Sequence, residues 1–145
     1  MLDEYEVLNY VYKNANMGKE STKTLLKSLE GKDNKIINAV IDILNSYENF
    51  EKDAERILKL MNEKGKKYGP FATLSADMSA MMEVVKDNSD TAIADMLITG
   101  LTKGEIEMTK MFGTFDEDID EDIKKIIRDF KDFQSNAIVK LKKYL

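Results

Sequence analysis

Residues 70–112 read PFATLSADMSAMMEVVKDNSDTAIADMLITGLTKGEIEMTKMF, and how this stretch is divided decides the architecture. As one helix it would run roughly 64 Å at ~1.5 Å per residue. The flanking helical segments reach only about 40 to 46 Å by the same rule. A compact bundle cannot leave that overhang in water, so the stretch is expected to break. Asp87-Asn88-Ser89-Asp90 gathers turn and cap formers in one place. Carrying the stripe Met78, Met81, Val85 forward would also put Asn88 or Ser89 in the core. The reading is therefore a short helix over about 71–86 and a long one over about 90–112. Pro70 suits the first turn of the short helix, and Gly113 suits the end of the long one.

Outward from this stretch the apolar period stays near 3.6. Toward the N-terminus the stripe is Leu8, Val11, Ala15, Gly18, Thr22, Leu25, Leu29, with Asp3 and Glu6 spaced as a capping box and Gly31 as a stop. A second stripe runs Ile36, Ile37, Val40, Ile43, Leu44, Tyr47, Phe50, Ala54, Ile57, Leu58, Met61. Asp33 or Asn34 can cap it, and Gly65 is placed to end it. The last stripe is Ile119, Ile123, Ile126, Ile127, Phe130, Phe133, Ala137, Ile138, Leu141, Leu145. The fold class is all-α, an up-and-down four-helix bundle whose third segment is broken into a short and a long helix. The 145 residues make one domain, 1–145.

Composition narrows function mainly by exclusion. The apolar fraction is 43%, there is one Pro, and there is neither Cys nor His. No disulfide can form, no basic, apolar leader opens the chain, and no run of about 18 apolar residues is present. The expected location is the cytoplasm, with no membrane span. The formal charge is −5 and acids alternate with lysines, a surface that repels nucleic acid and anionic lipid. Lys64, Lys66 and Lys67 complement a helix C-terminus. Without thiol or imidazole, the common activated nucleophiles have no parts to work with.

Three motifs were weighed for chemistry. The acidic run Asp116-Glu117-Asp118-Ile119-Asp120-Glu121-Asp122 fails as a calcium loop, because Glu121 stands where the loop needs Gly and Ile127 where it needs Glu. It reads instead as the dipole-complementing start of the last helix, with Lys140, Lys142 and Lys143 at the other end. Gly100 and Gly104 lie four apart inside a helix, where each costs about 1 kcal/mol relative to Ala. They are expected to let a second helix approach closely. Glu48, Glu51 and Glu55, with Glu105 and Glu107, sit at helical spacing. Bundle metal sites combine inward Glu residues with Glu-x-x-His, and the His half is missing. These acids are read as a solvated flank; Glu48, Glu51 and Glu107 are the ligands to consider if a carboxylate-only site exists. No catalytic, cofactor or metal residue is assigned.

The stretches Leu8-Asn9 to Gly18, Ala92-Ile93-Ala94-Asp95-Met96-Leu97 to Gly100, and Val139-Lys140-Leu141-Lys142-Lys143-Tyr144-Leu145 resemble the ferritin-like superfamily. The resemblance is to small bacterial bundles of the DUF2383 group and covers nearly the whole chain. It implies a ferritin-like fold. Ile98 and Leu101 stand where relatives often carry acids, and Lys19 and Thr22 lie on the inner side of the first helix. The resemblance therefore implies a bundle that has lost its metal site and its ferroxidase or peroxidase chemistry. The function expected is a non-catalytic interaction or structural module, with metal handling by carboxylates alone as the alternative. The stripe Phe71, Leu74, Met78, Met81, Met82, Val85 is the expected face of a homodimer, centred on Met78, Met81 and Met82.

Overall fold

The computed structural model describes residues 3–65, 87–113 and 118–145. Four long helices account for most of them: α1 (Glu4–Ser28), α2 (Ile37–Leu60), α3 (Asp90–Phe112) and α4 (Glu121–Leu141), with a closing 3₁₀ turn at Lys142–Tyr144. α1 packs against α2 and α3 against α4, each pair up and down, and α2 with α4 joins the two pairs in an all-α bundle. The short helix expected over 71–86, and the Met78, Met81, Met82 face with it, lie outside the described residues.

The core has two layers. One gathers the N-terminal halves of α1 and α4 with the C-terminal halves of α2 and α3, around Leu8, Val11, Leu58, Met108, Ile127 and Phe130. The other gathers the opposite halves, around Leu25, Val40, Ile93, Leu101, Ala137 and Leu141. Each pair is therefore antiparallel, while α2 and α3 run in the same direction. Tyr47 and Phe50 of α2 interlock with Phe130 and Phe133 of α4 between these layers. Tyr47 meets Phe133 edge-on at 5.1 Å, and Phe50 meets Phe130 likewise at 5.1 Å.

The caps follow the sequence at three helix starts and depart from it at one. Asp3 and Glu6 form the capping box of α1. Ser89 caps α3 through Ala92 N–H at 3.2 Å, so the long helix begins at Asp90 as expected, after non-helical residues 87–89. Asp120 caps α4 inside the acidic run. α2 has no side-chain cap of its own. Neither Asp33 nor Asn34 fills that role. The Asp90 carboxylate does so from α3, accepting from Lys35 N–H at 3.2 Å, Ile36 N–H at 3.4 Å and Asn34 Nδ2 at 2.9 Å. A carboxylate across the bundle can satisfy the orphan donors of a helix start as well as a local one.

One stop and one core position also differ from expectation. α2 ends at Leu60, and Asn62 supplies the left-handed residue (φ 58°), not Gly65. Gly31 does terminate α1, at φ 75°. Leu145 is 61% exposed, because the 3₁₀ turn takes the chain end off the α4 stripe.

The helical glycines divide by what a methyl would meet. At Gly18 it would run into the Tyr47 ring, and at Gly104 into the Gln134 amide. At Gly100 no described atom lies within 4 Å. Close approach was expected at both Gly100 and Gly104; only Gly104 has it, and there the neighbour is a side chain. Alanine has the better helix propensity by about 1 kcal/mol, so the two sites should respond with opposite sign. Gly100→Ala is expected to raise stability in urea denaturation by up to about 1 kcal/mol. Gly18→Ala should lower it by about 1–3 kcal/mol, since the Tyr47 ring has to move within a packed core. Asp90→Ala should lower it by about 1–2 kcal/mol through the lost cap on α2.

Candidate functional site

The carboxylates singled out in the sequence do not converge. Glu107, Glu51 and Glu48 are each tied to α1 at a different level. Glu107 of α3 accepts a hydrogen bond from the Tyr10 hydroxyl. Glu51 of α2 accepts from Asn16 Nδ2 at 3.0 Å and pairs with Lys19 Nζ at 2.9 Å. Glu48 lies 4.0 Å from Lys23 Nζ. Glu55 pairs with Lys59 along its own helix. Among the described residues no group of three or more acids is gathered as a metal ion would require.

The Lys19–Glu51 pair is half-sheltered, with side chains 16% and 13% exposed. Burial alone would lower the Lys19 pKa, but the hydrogen bond and charge of Glu51 outweigh it and raise it. Burial raises the Tyr12 phenol, and the charges of Glu55 and Glu51 push the same way. These groups hold helices together, and none is tuned toward neutral pH as a general acid or base would be. Ile98 is half-buried and Leu101 fully buried, apolar positions as the sequence suggested.

A concave site lies elsewhere, at mid-height between α1 and α3. It is a crevice of about 410 Å³. α1 contributes Met17, Gly18 and Thr22, and α3 contributes Met96, Leu97 and Gly100. Tyr47 of α2 and Phe130 and Gln134 of α4 also line it. The inner lining is buried: Thr22 is 2% exposed, Leu101 3% and Gln134 3%. Thr99, Gly100 and Lys103 are exposed at the mouth. The Thr22 hydroxyl donates to the Gly18 carbonyl at 2.6 Å and is thereby satisfied within α1. Burial holds the Tyr47 phenol far above its ordinary pKa, so it stays protonated. The Gln134 side chain lies against Gly104, and its Oε1 is buried without a hydrogen-bond partner among the described residues.

Gln134 is the lining residue that an apolar stripe does not single out. Phe130 lies four residues before it and Ala137 three after it, so its register is that of the core. A polar residue at a core register was the available signal. A second concavity, of about 550 Å³, lies on the outer side of α2 and α4. Its wall mixes Asp42, Asp129, Asp132, Lys140 and Lys143 with Phe133, a surface of solvated charges.

Among the described residues, no helix is long and apolar enough to cross a membrane. No protein-family model, no curated protein and no solved structure matches the chain, so what the findings establish is a four-helix all-α bundle.

Proposed function

We propose that this chain is a non-catalytic bundle that acts through protein contacts, as an interaction or structural module. One observation carries the reading: Glu107, Glu51 and Glu48 are each engaged by a different α1 partner, at Tyr10, at Asn16 with Lys19, and at Lys23. Acids used as clasps along one helix are not assembled as ligands. The absence of His and Cys from the chain points the same way, because it removes the usual nucleophile–base pairs.

The ferritin-like ancestry belongs to the same proposal. Two antiparallel helix pairs, with α2 and α3 running in one direction, require the 61–89 link to join opposite ends of the bundle. One long crossover is the ferritin-like connectivity. The apolar Ile98 and Leu101 are consistent with a metal site lost on that scaffold. We place the protein in the cytoplasm as a homodimer that pairs through Met78, Met81 and Met82. The support is the sequence stripe of these residues.

Two measurements test the proposal. After incubation with Fe²⁺, Mn²⁺ or Zn²⁺ and dialysis, elemental analysis should find no stoichiometric metal. Stoichiometric metal that disappears in a Glu51→Gln, Glu107→Gln variant would instead establish a carboxylate metal site. Light scattering should give about twice the 16.6 kDa chain mass. Met82→Glu should give a folded monomer. A wild-type monomer at high concentration would remove the dimer.

A further inference from the structure

We infer that the crevice between α1 and α3 is occupied by this chain's own residues 71–85, laid along it by the link between α2 and α3. The inference goes beyond the interaction-module reading. It assigns Met78 and Met81 to the core of one chain and leaves Met82, at the edge of the same stripe, for contact with a second copy.

The path of the chain carries the argument. After α2 the chain crosses onto α1. The Lys64 carbonyl accepts from the Tyr5 hydroxyl at 3.3 Å, and a methyl on Gly65 would run into the Tyr12 ring. Ahead of α3, at the other end of the bundle, the Asn88 carbonyl accepts from Asn34 Nδ2 at 2.7 Å. The link therefore leaves from the N-terminal half of α1 and arrives at the N-terminus of α3. The straight route between those points follows the α1–α3 side. The crevice occupies that interval, from Asn14 just past Tyr12 to Met96 and Leu97, about two turns into α3.

Length agrees with this route. Residues 71–85, as the helix their stripe predicts, span about 22 Å at ~1.5 Å per residue. Residues 14–28 of α1, from the near edge of the crevice to the helix end, span about the same by that rule. Residues 66–70, with Gly69 and Pro70, are left to make the entry turn.

Surface chemistry agrees as well. α1 and α3 are not packed on each other as the two helix pairs are, and Met17, Met96 and Leu97 line the gap. The lining has one charged side chain, Lys103, exposed at the mouth. Between positions 70 and 85 only Asp77 and Glu83 carry charge, and both lie off the stripe Phe71, Leu74, Met78, Met81, Val85. The groove on the opposite side of the bundle is walled by Asp42, Asp129, Asp132, Lys140 and Lys143, which match that stripe poorly. Tethering at both ends holds the segment at a high effective concentration, so it takes the crevice ahead of a second copy.

The test uses the full chain, whose lack of Cys lets a single nitroxide be attached at Ser79→Cys, off the stripe. In the ¹⁵N-labelled chain the nitroxide should broaden the amides of Met17, Ser21, Met96 and Leu97 severalfold more than those of Asn38, Asp42 and Asn136 across the bundle. Reducing the nitroxide should restore them. A mixture of spin-labelled ¹⁴N chain and unmodified ¹⁵N chain should show none of this crevice broadening. Met78→Asp should shift the same crevice amides and leave those of the α2–α4 groove in place. Should Met78→Asp fail to fold by circular dichroism, the nitroxide decides. Broadening centred on the α2–α4 groove, or equal on both sides, overturns the inference. So does crevice broadening that appears as strongly in the mixture, which gives the crevice to a second copy. A folded Met78→Asp chain with unmoved crevice amides overturns it too.

Discussion

The seam between α2 and α4 is the constraint on which the rest of the bundle depends. Each helix pair closes by its own antiparallel packing, but the two pairs are held together largely across this seam. Tyr47, Phe50, Phe130 and Phe133 interlock there, with ring centroids 5.1 to 6.4 Å apart. Ring pairs of this kind contribute about 0.5–1.5 kcal/mol each beyond their buried area. The seam also sets the outer helices. Gly18 lets α1 close onto the Tyr47 ring, and Gly104 lets α3 close onto the Gln134 amide. Both glycines draw their helices toward the seam, not toward each other. The crevice between α1 and α3 is the geometric consequence.

The ends of the bundle are fastened by acids acting at a distance. Asp90 caps α2 from α3. At the opposite end Glu4 of α1 accepts from Asp120 N–H at 3.0 Å, just ahead of α4. Thr91 donates to the Tyr144 carbonyl at 3.2 Å, tying α3 to the terminal turn. Each contact satisfies a backbone group that a helix start or chain end would otherwise leave to water. Part of the acidic surplus thus lies where amide donors need it, and the lysines opposite Glu51 and Glu48 take up more of it.

The helices themselves were legible because their signals are local. A stripe at period 3.6, a capping box and a left-handed glycine each involve residues a few positions apart. The start of α3 at Asp90 was legible for the same reason. The cap on α2 was not, since its acceptor lies 54 to 56 residues away and only the folded bundle brings it near. Gly65 looked like the stop of α2, but Asn62 adopts the left-handed geometry first. Gly100 and Gly104 share a spacing, and spacing alone did not reveal that, among the described residues, only Gly104 meets a close neighbour. The acids could be placed on helix flanks from sequence. Their separate partners on α1 required the packing of three helices.

The crevice gathers two departures from local rules that the rest of the molecule obeys. Gly100 sits inside a helix with no described neighbour that requires it, at about 1 kcal/mol relative to Ala. Gln134 buries an acceptor without a described partner, a loss of about 1–3 kcal/mol. Stability alone would favour Ala at the first position and an apolar side chain at the second. The core around them contains Leu, Ile, Val, Met and Phe at nearly every equivalent position, so the packing tolerates such residues. Two departures from local consistency thus fall together, in a bundle whose helices otherwise follow the local rules. Both line the same concavity, so the two costs in stability are concentrated where α1 and α3 stand apart.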